Sequence, residues 1–148
     1  AARMTTHADS QFGGIAQETW DQLYQAAFAV QKKAYTPYSK FKVGAAFLMD
    51  NGQIYAGCNV ENASFGATIC AERGAICAAV ADGARRARAL AVITDNDPPA
   101  APCGICRQVL AEFGDDLPIM VANTQGARQF TSLDAILPNR FSQRDLEN

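Results

Sequence analysis

Three cysteines in two short motifs impose the strongest constraint on how this chain can fold. The first motif is Cys70-Ala71-Glu72, and the second is Pro102-Cys103-Gly104-Ile105-Cys106. Thiolates are preferred ligands of Zn²⁺, and three of them leave one of the four tetrahedral positions open for water. Segments that share one metal ion must meet in space. The fold therefore has to bring the two motifs to a single point.

The apolar segments predict an α/β fold built around one mixed sheet. Asn51-Gly52 is a strong hairpin signal, because both residues suit the turn between two short strands. In chain order we predict helix 19–33, strands 43–49 and 53–60, helix 70–81, strand 90–94, helix 103–113, strand 119–122 and helix 132–137. This order predicts helices on both faces of the sheet, with right-handed parallel crossovers in its β-α-β-α-β part.

Both cysteine motifs are predicted to lie where a loop enters a helix. The partial positive charge of a helix N-terminus lowers the pKa of a thiol and stabilises the thiolate that zinc needs. Cys103 and Cys106 share one helix face, because they are three residues apart. Cys70 and Glu72 can converge only if the metal lies beyond the end of their helix. We therefore expect two helix N-termini to meet at the metal.

A structural zinc is the main alternative, and it needs a fourth protein ligand. Cys58 and Cys77 are the only other thiols. Cys77 lies seven residues after Cys70, which is about two helical turns or about 10 Å along the axis, so both cannot bind one ion. Spacing does not exclude Cys58, which lies on the predicted return strand. Most simply, we interpret Cys58 and Cys77 as small buried apolar residues.

Two charged residues stand directly beside the first cysteine. Glu72 is a carboxylate placed to move the protons of a water in the open position. Three thiolates and one Zn²⁺ leave a surplus negative charge, which weakens the ion as a Lewis acid. Arg73 is predicted to offset that charge by donating hydrogen bonds to thiolate sulfur. An arginine paired on the surface is the alternative.

Composition and charge exclude several classes of function. The net charge of -2 and the pI near 5.3 do not indicate the clustered positive charge that binds the phosphate backbone of nucleic acid. No apolar run reaches the length of about 20 residues that spans a bilayer, and no signal peptide is visible. His7, the only histidine, lies in the polar N-terminal stretch that we predict to be mobile, which excludes a Ser-His-Asp site. The CxxC spacing suits a metal in a reducing compartment, so we expect a cytoplasmic protein.

The chain length allows one domain with a sizeable core. We predict a flexible N-terminal segment over residues 1–15, polar and glycine-containing, in which residues 1–3 precede Met4 and are interpreted as a tag remnant. Residues 16–148 are predicted to form the single domain.

Four ordered motifs resemble cytidine deaminase of the short, all-cysteine, typically homotetrameric type. The resemblance extends from about Glu18 to Leu146, and it is specific because all four motifs occur in one short chain. The motifs are Tyr38-Ser39-Lys40-Phe41-Lys42-Val43-Gly44-Ala45-Ala46, Gly57-Cys58-Asn59-Val60-Glu61-Asn62-Ala63, Cys70-Ala71-Glu72-Arg73 and Pro102-Cys103-Gly104-Ile105-Cys106-Arg107-Gln108.

The resemblance implies a fold, an activity and a cofactor. The implied fold is a three-layer α/β/α sandwich with a mixed five-stranded sheet. The implied activity is zinc-dependent hydrolytic deamination of cytidine and deoxycytidine to uridine and deoxyuridine plus ammonia, in pyrimidine salvage. One Zn²⁺ per chain and a homotetramer with sites completed by neighbouring subunits are also implied. The substrate is then a small nucleoside, with neither nucleic acid nor membrane as partner.

The resemblance also implies the roles of individual residues. The implied zinc ligands are Cys70, Cys103 and Cys106, and the implied proton shuttle is Glu72. The implied substrate-binding residues are Phe41 and the backbone of Ala71 for the base, Asn59 and Glu61 for the ribose, and Phe141, delivered to a neighbouring subunit's pocket. By sequence alone, Phe41 and Phe141 read as ordinary core, and Asn59 and Glu61 as a polar strand end.

Three rival functions are less consistent with the sequence. A deaminase of another nucleoside, such as the antibiotic blasticidin S, would share the zinc motifs but lack the Asn59-x-Glu61 pair. A polynucleotide-editing deaminase would need a basic, base-stacking surface. A zinc-stapled binding module would have no use for Glu72.

The sequence departs from the family pattern at three positions. These are Gly74, which we predict allows closer backbone packing, Phe65 in place of Tyr, and Ile105 in place of Ala.

Overall fold

Five strands and five α-helices occur within residues 11–147, the part of the chain that the computed structural model describes. In chain order they are α1 (Gln17–Gln31), β1 (Gly44–Met49), β2 (Ile54–Cys58), α2 (Ala71–Ala81), β3 (Ala87–Thr94), α3 (Gly104–Phe113), β4 (Pro118–Asn123), β5 (Arg128–Ser132), α4 (Leu133–Ile136) and α5 (Gln143–Leu146). Short 3-10 turns lie at Phe12–Gly14 and Phe65–Ala67. The predicted α/β class is confirmed.

The strands form one mixed sheet in the order β2-β1-β3-β4-β5. Strands β3 and β4 are parallel, and the other neighbouring pairs are antiparallel. Because β1 is antiparallel to both β2 and β3, these two strands run in the same direction. Helix α2 therefore connects two parallel strands across β1, and α3 connects the adjacent parallel pair. The predicted parallel crossovers and the mixed five-stranded sheet are confirmed, whereas the handedness of the crossovers stays a prediction.

Two hydrophobic cores cover the two faces of the sheet. On one face α1 contributes Trp20 and Leu23, which pack against Ala46 and Leu48 of β1. On the other face α2, α3 and α4 cover the alternate residues of β1, such as Phe47. Strand β1 is buried at every position, because each of its faces meets a layer of helices. The three-layer α/β/α arrangement is confirmed.

Glycines let the helices approach the sheet closely on both faces. A Cβ atom at Gly44 would lie 2.2 Å from the carbonyl oxygen of Ala27 in α1. A Cβ atom at Gly57 would lie 2.4 Å from the backbone nitrogen of Ala75 in α2. At Gly74 a Cβ atom would meet only the Cys58 oxygen, at an ordinary 3.7 Å. The prediction that Gly74 allows the close packing is therefore wrong, because Gly57 on the strand provides it.

Some observed elements begin or end at other residues than predicted, and two were not predicted. Helix α1 begins two residues earlier than predicted, after Ala16, whose side chain cannot cap it. Strand β3 begins at Ala87 rather than Leu90. Strand β5 and helix α5 were not predicted from the residue pattern, although the Ser142 to Asp145 capping box of α5 is visible in the sequence.

The N-terminal segment is described from residue 11 onward. Ile15 is buried, and the Phe12 ring lies 5.1 Å from the Phe130 ring, so this end of the segment packs on the α1 face. These contacts differ from the flexible segment expected over residues 1–15, while the tag interpretation of residues 1–3 lies outside the described residues. The division into domains stays a prediction. No helix between residues 11 and 147 is both long and apolar enough to cross a membrane.

Candidate active site and metal centre

The two cysteine motifs meet at two helix N-termini, as predicted. Cys70 is the N-cap of α2, and Cys103 is the N-cap of α3, both with extended backbone angles. Cys106 lies in the first turn of α3 and is fully buried. The crossovers after β2 and β3 both start at the same edge of the sheet, because the two strands run in parallel. This topology brings residues distant in sequence into one cluster.

The three thiols fit a tetrahedral zinc ion. Their sulfur atoms all lie within 4.8 Å of one another, and those of Cys103 and Cys106 are 3.4 Å apart. Zn–S bonds of about 2.3 Å at tetrahedral angles place sulfur atoms about 3.8 Å apart, so small movements would complete the site. Within residues 11–147 no fourth thiol, histidine or carboxylate joins the cluster. Cys58 is half-buried and Cys77 is exposed, so the expectation that both are buried is wrong.

The thiols of the second motif affect each other's ionisation. Burial raises the pKa of Cys106, and the Glu72 carboxylate raises it further. Burial also acts to raise the pKa of Cys103, but hydrogen bonds from Cys106 and Cys70 outweigh it and lower that pKa. Burial and the Glu72 carboxylate thus favour the form of Cys106 that keeps its proton. A bound cation favours the thiolates, so metal binding would release this proton.

Glu72 is buried beside the thiols. Only 4% of the residue is exposed to solvent. Burial raises the pKa of its carboxyl group, and a hydrogen bond from Cys106 and the charge of Arg73 act in the opposite direction. A carboxyl group with a raised pKa exchanges protons closer to neutral pH than an exposed one. This environment suits a residue that first accepts and then donates a proton.

Arg73, the third residue of α2, contacts the first cysteine motif. One terminal nitrogen of its guanidinium donates to the Cys70 sulfur over 3.6 Å and to the Thr68 carbonyl over 3.0 Å. The buried Nε of Arg73 has no partner among the described residues. The side chain therefore holds the loop before α2 and places positive charge on the thiol cluster, which is the geometry predicted for it.

A cavity of about 190 Å³ opens over the cysteines and Glu72. Four of the substrate-binding and catalytic candidates line it, namely Phe41, Asn59, Ala71 and Glu72. Val43, Val92 and Pro102 add apolar walls. Phe41 is 38% exposed, so it forms a wall of this cavity rather than the ordinary core that the sequence alone suggested. The lining of the cavity is mostly apolar, and Asn59, Thr68, Glu72 and Thr94 are the polar residues in it apart from the cysteines.

Asn59 is buried, and its amide braces one wall of the cavity. Its Nδ2 donates to the carbonyl of Phe41 over 2.7 Å, and its Oδ1 accepts from the backbone N–H of Val43 over 2.9 Å. The loop that carries Phe41 is thereby tied to the end of β2. Asn59 still has one amide N–H and one lone pair to offer to a ligand.

Glu61 lies in an adjacent cavity rather than in the one above the cysteines. This second cavity, about 340 Å³, shares Thr68 with the first. The carboxylate of Glu61 accepts hydrogen bonds from the Ser39 hydroxyl and from the backbone N–H groups of Tyr38 and Ser39. The Ser39 hydroxyl bond is the largest cause of the lowered pKa of Glu61. Glu61 is therefore ionised at neutral pH and open to solvent.

Phe141 does not line the cavity above the cysteines of its own chain. It is 59% exposed and lines a different cavity, near Gln108 and Arg140. The side-chain amide of Gln108 donates to its carbonyl over 2.9 Å. The structure of a single chain thus does not bring Phe141 to its own site.

Sequence reasoning missed several residues that shape the site. Thr68 joins the two cavities, and Val92 and Thr94 reach the first one from the end of β3. Ser39 fixes Glu61, and it does lie within a motif that carries the family resemblance. The contributions of Thr68, Val92 and Thr94 depend on the sheet order, which no local pattern reveals.

An open three-thiol metal site with a buried carboxylate, held at two helix N-termini of an α/β/α fold, defines the class of zinc-dependent deaminase domains. The profile of the family described as "Cytidine and deoxycytidylate deaminase zinc-binding region" matches residues 17–122. The chain belongs to this family.

Relatives along most of the chain support the assignment. A cytidine deaminase of Sporosarcina psychrophila is 46% identical over 127 residues, which cover 85% of this chain and 93% of that protein. A crystal structure of cytidine deaminase from Burkholderia pseudomallei is 47% identical with a TM-score of 0.78, covering 82% of this chain and 98% of the other. A crystal structure of cytidine deaminase from Mycobacterium tuberculosis is 42% identical with a TM-score of 0.71, and the match covers 83% of this chain and 97% of the other.

Proposed function

We propose that the protein catalyses the hydrolytic deamination of cytidine and deoxycytidine to uridine and deoxyuridine, with release of ammonia. The observation that carries this proposal is the position of Glu72. Its carboxyl group is buried beside the three thiols and lines a mostly apolar cavity. A structural metal site needs neither the open coordination position nor the buried acid. Family membership and the named relatives support the same reaction class.

The chemistry divides between one Zn²⁺ per chain and the residues around it. When bound by Cys70, Cys103 and Cys106, zinc supplies a Lewis acid that lowers the pKa of water toward neutrality. Glu72 takes a proton from that water and delivers it to ring nitrogen 3, which makes carbon 4 electrophilic. The hydroxide left from the water adds to carbon 4. Glu72 then takes the proton of the new carbon 4 hydroxyl group and passes it to the amino group, so that the C–N bond breaks, ammonia leaves and the carbonyl group of uridine forms. One carboxyl group thus acts first as base and then as acid.

The remaining site residues bind and orient the nucleoside. The Phe41 ring packs against the pyrimidine, and the backbone N–H of Ala71, which begins α2 and so lacks an intrahelical acceptor, is placed to bind the base. The ribose lies where the two cavities meet at Thr68, so that its hydroxyl groups donate to Glu61 in the adjacent cavity and bond to Asn59 in the wall of the first. An ionised Glu61 also disfavours a phosphate group at that end of the substrate.

Assembly and cellular role extend the proposal. A homotetramer would place the exposed ring of Phe141 over the site of a neighbouring subunit, which explains why a single chain does not use it. The proposed compartment is the cytoplasm, where free thiols stay reduced. The proposed physiological role is pyrimidine salvage.

Turnover of cytidine, followed by its ultraviolet change and by ammonia release, tests the reaction. We expect cytidine and deoxycytidine to be converted, a chelator to abolish conversion, and added Zn²⁺ to restore it. Deoxycytidylate serves as the phosphorylated comparison substrate. Absence of turnover on both nucleosides, with zinc bound, would overturn the proposed function.

The variant Glu72→Ala tests the proton shuttle within the same assay. It keeps all three thiols, so we expect it to bind zinc as the wild type does. Loss of general acid–base catalysis alone typically costs about 100- to 10,000-fold, so nearly all turnover should disappear. Zinc content and turnover are measured on the same preparation. An active Glu72→Ala protein would show that another group moves the protons.

A further inference from the structure

Arg107 follows the last cysteine of the cluster and binds two separate backbone segments. Its Nε donates to the carbonyl of Pro102 over 2.8 Å. Its Nη1 donates to the carbonyl of Ile136, also over 2.8 Å. Pro102 directly precedes the cysteine at the N-cap of α3, and Ile136 ends α4. One guanidinium thus joins the metal-binding loop to a helix on the other side of it.

The loop before Cys103 has few hydrogen bonds to hold it, although Pro99 and Pro102 are buried. It connects the end of β3 to α3, and Pro98, Pro99 and Pro102 cannot donate backbone hydrogen bonds. Within the described part of the chain, the bond from Arg107 to Pro102 is the only hydrogen bond that residues 97–102 make. The position of the Pro102 carbonyl, and with it the start of α3, depends on this contact.

The other end of the contact is anchored in the core. Ile136 is 6% exposed and belongs to the hydrophobic cluster that also contains Leu110 of α3 and Leu133 of α4. A carbonyl at the end of a short, packed helix is a fixed reference point. Arg107 therefore ties a loop with few bonds of its own to a rigid part of the fold.

We propose that Arg107 is a positioning residue for the metal centre, which holds Cys103 at the distance and direction that zinc requires. The inference rests on the proposed zinc site. An arginine suits this task because its planar fork can donate to two carbonyl oxygens at once, whereas the ammonium of lysine cannot reproduce that geometry. Groups that orient metal ligands typically contribute about 10- to 100-fold to metal affinity.

Zinc affinity and the spectrum of the cobalt-substituted protein test the proposal independently of turnover. Affinity is measured by competition with a chromophoric chelator, and the visible bands of Co²⁺ report the ligand geometry. We expect Arg107→Gln to bind zinc about 10- to 100-fold more weakly and to change the cobalt bands. Arg107→Lys should fall between Arg107→Gln and the wild type, because it can bind only one of the carbonyls at a time.

Two control variants separate positioning from general stability. Gln108→Ala cuts a neighbouring tie from α3 to the carbonyl of Phe141 but leaves the Pro102 bond intact. Arg128→Gln removes an arginine paired with Asp21 on the opposite face of the sheet. Both should keep the zinc affinity and the cobalt spectrum of the wild type, with circular dichroism as the check on folding.

Wild-type zinc affinity and cobalt bands in Arg107→Gln would overturn the proposal. If Arg107→Gln does not fold, Arg107→Lys takes its place: wild-type zinc affinity and wild-type cobalt bands in Arg107→Lys would then overturn the proposal. Equal losses of affinity in Arg107→Gln and Arg128→Gln would also overturn it, because they would reduce the effect to stability. A wild-type protein that binds no zinc would instead refute the proposed function.

Discussion

The contact between β2 and α2 gives the sharpest stability prediction, since Gly57 has no room for a side chain. In Gly57→Ala the new Cβ would lie 2.4 Å from the Ala75 nitrogen, 2.8 Å from the Ala71 oxygen and 2.9 Å from the Gly74 carbon. All three are backbone atoms of α2, so no side chain can turn aside. An ordinary contact requires about 1 Å more separation, which means that the helix must move away from the sheet.

The expected cost lies at the upper end of the range for overpacked sites. Overpacking typically costs about 1–3 kcal/mol, and here the helix backbone itself has to shift. We expect Gly57→Ala to lower the free energy of unfolding by about 3 kcal/mol, which corresponds to a fall in Tm of about 6–12 °C. Because α2 begins at the thiol cluster, its displacement should also weaken zinc binding.

Gly74→Ala is the matched control on the facing helix. Its Cβ would meet the Cys58 oxygen at an ordinary 3.7 Å, and alanine favours a helix interior over glycine by about 1 kcal/mol. We expect this variant to be as stable as the wild type or more so. Urea unfolding followed by circular dichroism, at fixed zinc and protein concentrations, measures both. A Gly57→Ala protein as stable as Gly74→Ala would refute the packing argument.

Two further variants test the charges around the site. Arg73→Gln removes the donor to the Cys70 sulfur, so zinc should bind about tenfold more weakly and the pH–rate profile should shift; unchanged zinc occupancy and profile would reject this role. Ser39→Ala removes the hydroxyl that lowers the pKa of Glu61. The carboxylate then loses its charge at a higher pH, and the rise in KM for cytidine on acidification should begin earlier. A KM–pH curve identical to that of the wild type would contradict the ribose-binding role of Glu61.

The parts of the site that sequence could predict are those encoded by local motifs. Cys70, Cys103 and Cys106 occupy helix starts, and the residue types with their spacing already require two N-termini to converge. Glu72 and Arg73 follow from adjacency to the first cysteine. These features depend on a few neighbouring residues, so a pattern can carry them.

The parts that sequence could not predict depend on contacts between distant segments. Strand β5 (Arg128–Ser132) shows no alternation of apolar and polar residues. It lies at the edge of the sheet and buries only Phe130 and Thr131. Its position follows from pairing with β4. In the same way, the bond between Arg107 and Ile136 joins two residues that no motif relates. The tight spot at Gly57 becomes visible only once α2 is seen to pack on β2.

The position of β3 in the sheet has a consequence for the timing of metal uptake. This strand lies between β1 and β4, and Ala89 to Thr94 are buried without interruption. Cys70 precedes β3 in the chain and Cys103 follows it. Cys103 and Cys106 are therefore neighbours in the chain from the start, whereas Cys70 reaches them only when β3 takes its place at the centre of the sheet. Neither apolar core includes any of the three thiols. Unlike a small zinc domain, whose folding depends on the metal, this site is built on a sheet with two cores of its own, so we expect the complete ligand set to become available to zinc only after the centre of the sheet has closed.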